Sequence, residues 1–236
     1  MTRLLSTMQL DVQLQWRNKF YYIAAAVTLV SVLIVRQLFP KETIGLILPL
    51  FFMTGIGSTS YFLLGGLILF EKSEHTLEAQ VVTPLRPTEY MISKIATLTF
   101  LGLLEGLILA LAGYGLDLHL APLLLGLSAM LIIYLLAALM VVVRCGSLNQ
   151  FFVPSIAVLG LLFAPPALDQ LGLWHSPLLY LWPTQGALLF TRAAFSPVST
   201  GQLVYALVAC LLVIFLMALV SYRSFQKYVI RREGGY

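Results

Sequence analysis

A chain of 236 residues that is 60% hydrophobic and 10% charged, with mean hydropathy +0.94, lies far from a soluble domain, where charge averages about 25%. At roughly 20 apolar residues per crossing it has room for about six membrane spans and no second, soluble domain, so residues 1–236 read as one all-α polytopic membrane domain. The net charge of +4 comes without an aromatic-basic pattern for RNA or DNA, which argues against a nucleic-acid partner and for attraction to the lipid bilayer.

Residues 1–19 lack a continuous apolar core and a small-residue cleavage site, so no cleaved signal peptide is expected and the first span acts as the insertion signal. Leu4, Leu5, Met8, Val12 and Trp16 share one arc at ~100° per residue, with Leu10 and Leu14 off it. That stripe lets a helix lie in the membrane interface, either as a plain anchor or as a connector that also transmits force. Spans are expected near Phe20–Phe39 and Ile44–Phe70. The second carries Gly55, Gly57, Gly65 and Gly66 with Ser58, Thr59 and Ser60, small residues suited to helix packing.

Between Phe70 and Lys94 the chain concentrates seven of its 14 basic and 10 acidic residues: Glu71, Lys72, Glu74, Glu78, Arg86, Glu89 and Lys94. A segment so polar cannot lie in hydrocarbon, and Pro84 and Pro87 punctuate it into a short helix, a turn and the start of another helix. The 71–90 segment therefore sits at or beyond one membrane face.

The third span, Met91–Tyr114, contains Glu105, about 16 Å of helix beyond Lys94 and so close to the bilayer midplane. An acid at that depth is a functional candidate, in a substrate cavity or a proton-linked step; it can equally fix packing through a hydrogen bond. Gly102 and Gly106 flank it at a small-xxx-small spacing that admits another helix or a second subunit. After spans at Leu118–Val143 and Gln150–Leu168, the latter carrying Pro154, Pro165 and Pro166, the stretch 169–200 is too apolar for an ordinary loop. It reads as re-entrant helices, whose backbone at membrane depth must be shielded by protein, or as an outer interfacial helix. Trp174, Tyr180 and Trp182 suit the interfacial belt. The last span is Leu203–Tyr222.

Six spans put both termini on one side, and charge tests which side. Arg3, Arg17, Lys19, Lys72, Arg86, Lys94, Arg144, Arg223, Lys227, Arg231 and Arg232, 11 of the 14 basic residues, then share a face. Only Arg36, Lys41 and Arg192 lie opposite. Positive-inside asymmetry makes the first face cytoplasmic, with both termini, in a plasma (bacterial inner) membrane. His75, His119 and His175 fall in separate loops without a second ligand at metal spacing, so no metal site is expected. No GxxxxGK[ST] loop or Gly-x-Ser-x-Gly setting is present, so the chain is not expected to be an enzyme or to hold a cofactor itself. Cys145 and Cys210 imply no disulfide framework.

The island resembles the segment between the second and third spans of ATP-binding-cassette type-2 permeases, through Glu71, Lys72, Glu74, Thr76, Leu77, Glu78, Thr83, Pro84, Leu85, Tyr90 and Lys94. His75 stands where those permeases commonly have Gly. SPLLYLWPTQGALL is similar to their Asn-Pro-Leu-x-x-Leu region before the last span, with Ser176 in place of Asn, and its PTQGALL part resembles the drug-export branch associated with fluoroquinolones. The resemblance implies a half-transporter, pairing with a second permease subunit as a homo- or heterodimer and docking separate ATP-binding-cassette ATPase subunits that carry ATP and Mg. Glu71, Lys72, Glu74, Thr76, Leu77, Glu78, Val81, Thr83, Pro84 and Leu85 would then form the cytoplasmic coupling helix, its rim charges guiding docking and Leu77 and Val81 filling the partner's groove. The substrate would be an amphiphile such as a drug or lipid. Two other classes stay open: a gradient-driven secondary transporter with Glu105 as its proton site, although no three-plus-three repeat is visible, and a non-transporting membrane scaffold or immunity protein.

Overall fold

A computed structural model describes residues 2–74, 86–174 and 176–230. The described residues form helices and no strands, and six of the helices are long and apolar enough to cross a membrane. An N-terminal helix α1 (Thr2–Arg17) turns at Lys19, whose φ of 61° is left-handed, into α2 (Phe20–Leu38). The remaining spans are α3 (Lys41–Ser73), α4 (Pro87–Gly113), α5 (Leu120–Val142), α6 (Leu148–Gln170) and, after the short helix α7 (Gln185–Ala193), α8 (Thr200–Phe225).

The expected spans reappear within a few residues, with two extensions. Helix α3 runs for 33 residues, roughly 50 Å at 1.5 Å per residue and well beyond a 30 Å hydrocarbon core. The last span continues to Val229. Hydropathy marks where a helix leaves lipid, not where it unwinds, so polar stems such as Glu71–Ser73 escape a reading based on apolar runs. Inside α3 the turn Phe52–Gly57 is π-helical. Its cause is local: Pro49 removes one backbone donor, and the N–H of Phe52 is shared by the carbonyls of Leu48 and Pro49.

Helix α5 is the central pillar, with 72% of its apolar window buried, against 28% for α6 and 11% for the last span. It packs on α3, α4, α7 and α8. Glycines seat those crossings: a Cβ on Gly126 of α5 would stand 2.6 Å from the backbone nitrogen of Thr191 in α7. Tyr61 of α3 and Phe151 of α6 stack at 5.5 Å between centroids. The poorly covered faces of α6 and α8, carrying Val153, Ile156, Leu161, Leu211 and Phe215, remain exposed apolar surface, as lipid or a second copy requires.

Candidate functional site: the stems of the charged segment

Three charged residues end α3, and helix geometry sends them in three directions. Glu71, at about 100° from Lys72, turns inward, where its Oε1 meets the Lys94 Nζ at 2.6 Å. Lys94 in turn reaches Oδ1 of Asp11 at 2.9 Å, and its side chain is fully buried. The Tyr90 hydroxyl donates to Glu71 Oε2 at 2.6 Å and the Ser93 hydroxyl to Asp11 Oδ2 at 2.5 Å. The lysine also lies 4.5 Å from the centroid of the Tyr90 ring, which packs on Phe225 of α8. One ammonium thus joins the last turn of α3, the first turns of α4 and the N-terminal helix, with the remaining carboxylate oxygens satisfied by hydroxyls. That full satisfaction is what makes a buried ion cluster tolerable.

Lys72 points elsewhere. Its Nζ donates to the carbonyls of Val142 at 3.2 Å, Val143 at 3.0 Å and Cys145 at 2.9 Å, at the negative C-terminal end of α5. Burial pushes the Cys145 thiol up against the pull of Lys72 and Arg144, which keeps it a donor. It contacts the carbonyl of Gln150 at 3.4 Å, the acceptor that Pro154 leaves without a helical partner. Glu74 alone of the three faces outward, 3.3 Å from Arg17, both more than half exposed, so this pair contributes little.

Glu71 and Lys72, expected among the rim charges of a docking helix, therefore face the protein and hold the stems. The other expected coupling residues, Thr76, Leu77, Glu78, Val81, Thr83, Pro84 and Leu85, lie outside the described residues. Sequence reading missed Asp11, Gln15 and Ser93. Helix α1 docks on α4 through its polar stripe, with Asp11 and Gln15 buried and Gln15 Nε2 donating to Thr97 at 2.9 Å, while Leu5, Val12 and Trp16 stay exposed. A lone acid in the middle of an amphipathic helix whose other charges, Arg3 and Arg17, lie at its ends, together with a lysine opening an apolar span, was the available signal.

Glu105 is 3% exposed, and neither carboxyl oxygen has a hydrogen-bond partner among the described residues. The Thr28 hydroxyl of α2 lies alongside, near enough to interact with the carboxyl but outside good hydrogen-bond geometry. Gly102 and Gly106 do not meet a separate subunit at their bare faces: an added Cβ would stand 2.6 Å from Leu131 at Gly102 and 2.6 Å from Leu127 at Gly106, both on α5 of the same chain. The close approach read from their spacing is therefore internal. Because the Thr28 hydroxyl is near Glu105 but outside good hydrogen-bond geometry, the carboxyl is poorly compensated for its burial, and Glu105→Leu is expected to match or exceed the wild type in thermal stability. A fall in Tm measured on purified protein would show instead that the carboxyl supports the helix packing.

At the opposite end, the stretch 177–184 is tied to α6 by side chains. Trp182 Nε1 donates to the Leu161 carbonyl at 2.8 Å and Thr184 Oγ1 to the Leu162 carbonyl at 2.6 Å. Gln185 donates to Asp169 at 2.6 Å, and the Tyr205 hydroxyl of α8 contacts the Tyr180 carbonyl. Trp182, expected as an interfacial anchor, thus also donates its indole N–H to the proline-containing span α6.

Six helices long and apolar enough to cross a membrane, with α5 the most buried of them, define the architecture of a multi-pass membrane protein. The model of the fluoroquinolones export permease protein family matches residues 2–233, and the chain belongs to that family. It is 33% identical over 236 residues to two proteins of Mycobacterium tuberculosis, from strains CDC 1551 / Oshkosh and ATCC 25618 / H37Rv, each described as a fluoroquinolones export permease protein. The similarity covers 99% of this chain and 99% of each relative.

Proposed function

We propose that this chain is the membrane half of an ATP-binding-cassette exporter, in which a separate ATPase docks on residues 75–85 and closure of the ATPase pair moves the spans. The observation that carries the reading is the Asp11–Lys94–Glu71 cluster, which makes both stems of the charged segment and α1 one rigid body. A push on the segment is thereby delivered to α3 and α4 together, and through Lys72 to the end of α5. In this reading the stems face the cytoplasm of a bacterial inner membrane with both termini, α1 lies in the interface with Leu5, Val12 and Trp16 toward lipid, and residues 169–200 form the outer re-entrant segment.

The cargo is an amphiphile of the fluoroquinolone sort, by analogy with the relatives' description. An aromatic cleft of about 430 Å³ between α2, α3 and α6 supports this: it is lined by Phe20, Phe62, Phe70, Phe151 and Phe152 with the hydroxyls of Ser58 and Thr59. It opens beside the exposed face of α6, where a second permease subunit would close it.

The test is copurification with a candidate ATPase and export by the pair. Leu77→Asp and Glu78→Arg lie outside the spans and are expected to insert normally while losing ATPase docking and export. Normal copurification and export in both would sink the docking assignment. The unpartnered Glu105 favours a second reading, proton-linked transport. Export abolished by collapsing the proton gradient but insensitive to ATP depletion would support that reading over the first.

A further inference from the structure

Helix α6 packs on α3, α5 and the turn Pro177–Leu181, and only 28% of its apolar window is buried. Its outer half carries Pro165 and Pro166, whose missing N–H groups deprive the carbonyls of Leu161 and Leu162 of their helical donors. Those two carbonyls are the acceptors for Trp182 and Thr184. Thr184 is fully buried, and the α7 helix that follows it packs chiefly on α5 and α8. The body of the protein therefore grips the outer half of the fifth span through side chains that replace backbone hydrogen bonds.

We infer that Trp182 and Thr184 are positioning residues that latch the outer half of α6 to the fixed body and release it only when water can take their place. The inference rests on the export reading above. Carbonyls exposed to hydrocarbon are not tolerated, whereas carbonyls lining a water-filled gap are. Separation of α6 from the 177–184 segment therefore proceeds as the opening of a wet cleft on the outer side and never as a dry slide. An exporter needs such a step where cargo leaves, because an amphiphile released into a hydrated seam parts from the protein into water. The proline pair supplies the acceptors, and a helix with its ladder intact would offer no such purchase.

The test uses the full chain in membranes with Cys145→Ser and Cys210→Ala, a single Leu162→Cys as reporter, and a membrane-impermeant maleimide as probe. Leu162 is buried, so its modification reports opening. Thr184→Val and Trp182→Phe are each expected to raise the modification rate roughly fivefold, the population shift produced by losing one hydrogen bond of ordinary net strength. Thr184→Ser is expected to label at the parent rate. With the partner ATPase present, the first two variants should keep ATP turnover while exporting less per ATP. Parent-rate labelling in Thr184→Val, or equal effects of Ser and Val at 184, would overturn the latch. So would loss of folded protein in both Thr184→Val and Trp182→Phe, which would make the contacts a static part of the fold. The labelling contrast is read without ATP, so it decides the latch even where a missing ATPase partner shows the export reading to be wrong.

Discussion

Lys94→Met is expected to be the most damaging single substitution in the chain. It leaves Asp11 and Glu71, both nearly fully buried, without the ammonium they share, and breaking a buried ion cluster by removing one member costs about 3–5 kcal/mol. The loss should appear as poor accumulation in the membrane and a sharply lowered Tm in detergent. Removing the charges together tells a different story, because an uncharged cluster of similar volume is often neutral or stabilising. The triple variant Asp11→Asn, Glu71→Gln, Lys94→Met should therefore recover most of the lost Tm. If the single variant melts like the wild type, the cluster does not hold the stems. If the triple variant is stable yet no longer supports export, the ions serve transmission more than folding.

Gly126→Ala is the second large effect. The added methyl would lie 2.6 Å from the Thr191 nitrogen and 2.8 Å from Thr191 Cγ2, and the obstacle is backbone that cannot swing aside. Forcing α7 off the pillar should cost about 1–3 kcal/mol, read as a Tm lowered by several degrees. Gly160→Ala is the control, since nothing lies within 4 Å of its added Cβ and alanine favours helix there. Equal Tm values for the two variants would mean that the α5–α7 seat is looser than its geometry.

The six crossings were legible because hydrocarbon demands long apolar helices and nothing else produces such runs. Glu105 and the polar island stood out for the same reason, as violations of that demand. What each charge in the island does was not legible: Glu71 and Lys72 are neighbours in sequence, yet one turns to α4 and the other to α5, a distinction set by rotation about α3 that composition does not carry. The N-terminal helix was read for its apolar stripe, while its contact with the protein runs through Asp11 and Gln15, because lipid competes for apolar faces and leaves polar ones to protein. Gly102 and Gly106 announced close approach without naming the neighbour. The prolines of α6 were visible, but that Cys145, Trp182 and Thr184 answer their vacant carbonyls depends on chain folding back from elsewhere.

The ion cluster also orders biosynthesis. Asp11 and Lys94 are 83 residues apart, so at 5–20 residues per second the ribosome delivers the lysine roughly 4–17 s after the aspartate. During that interval the first two spans can enter the membrane while the leading helix has no ammonium to close upon. The end of the nascent protein that carries the cluster is consequently finished late, once the third span begins to emerge, and any factor that recognises the unlatched helix has only those seconds in which to act.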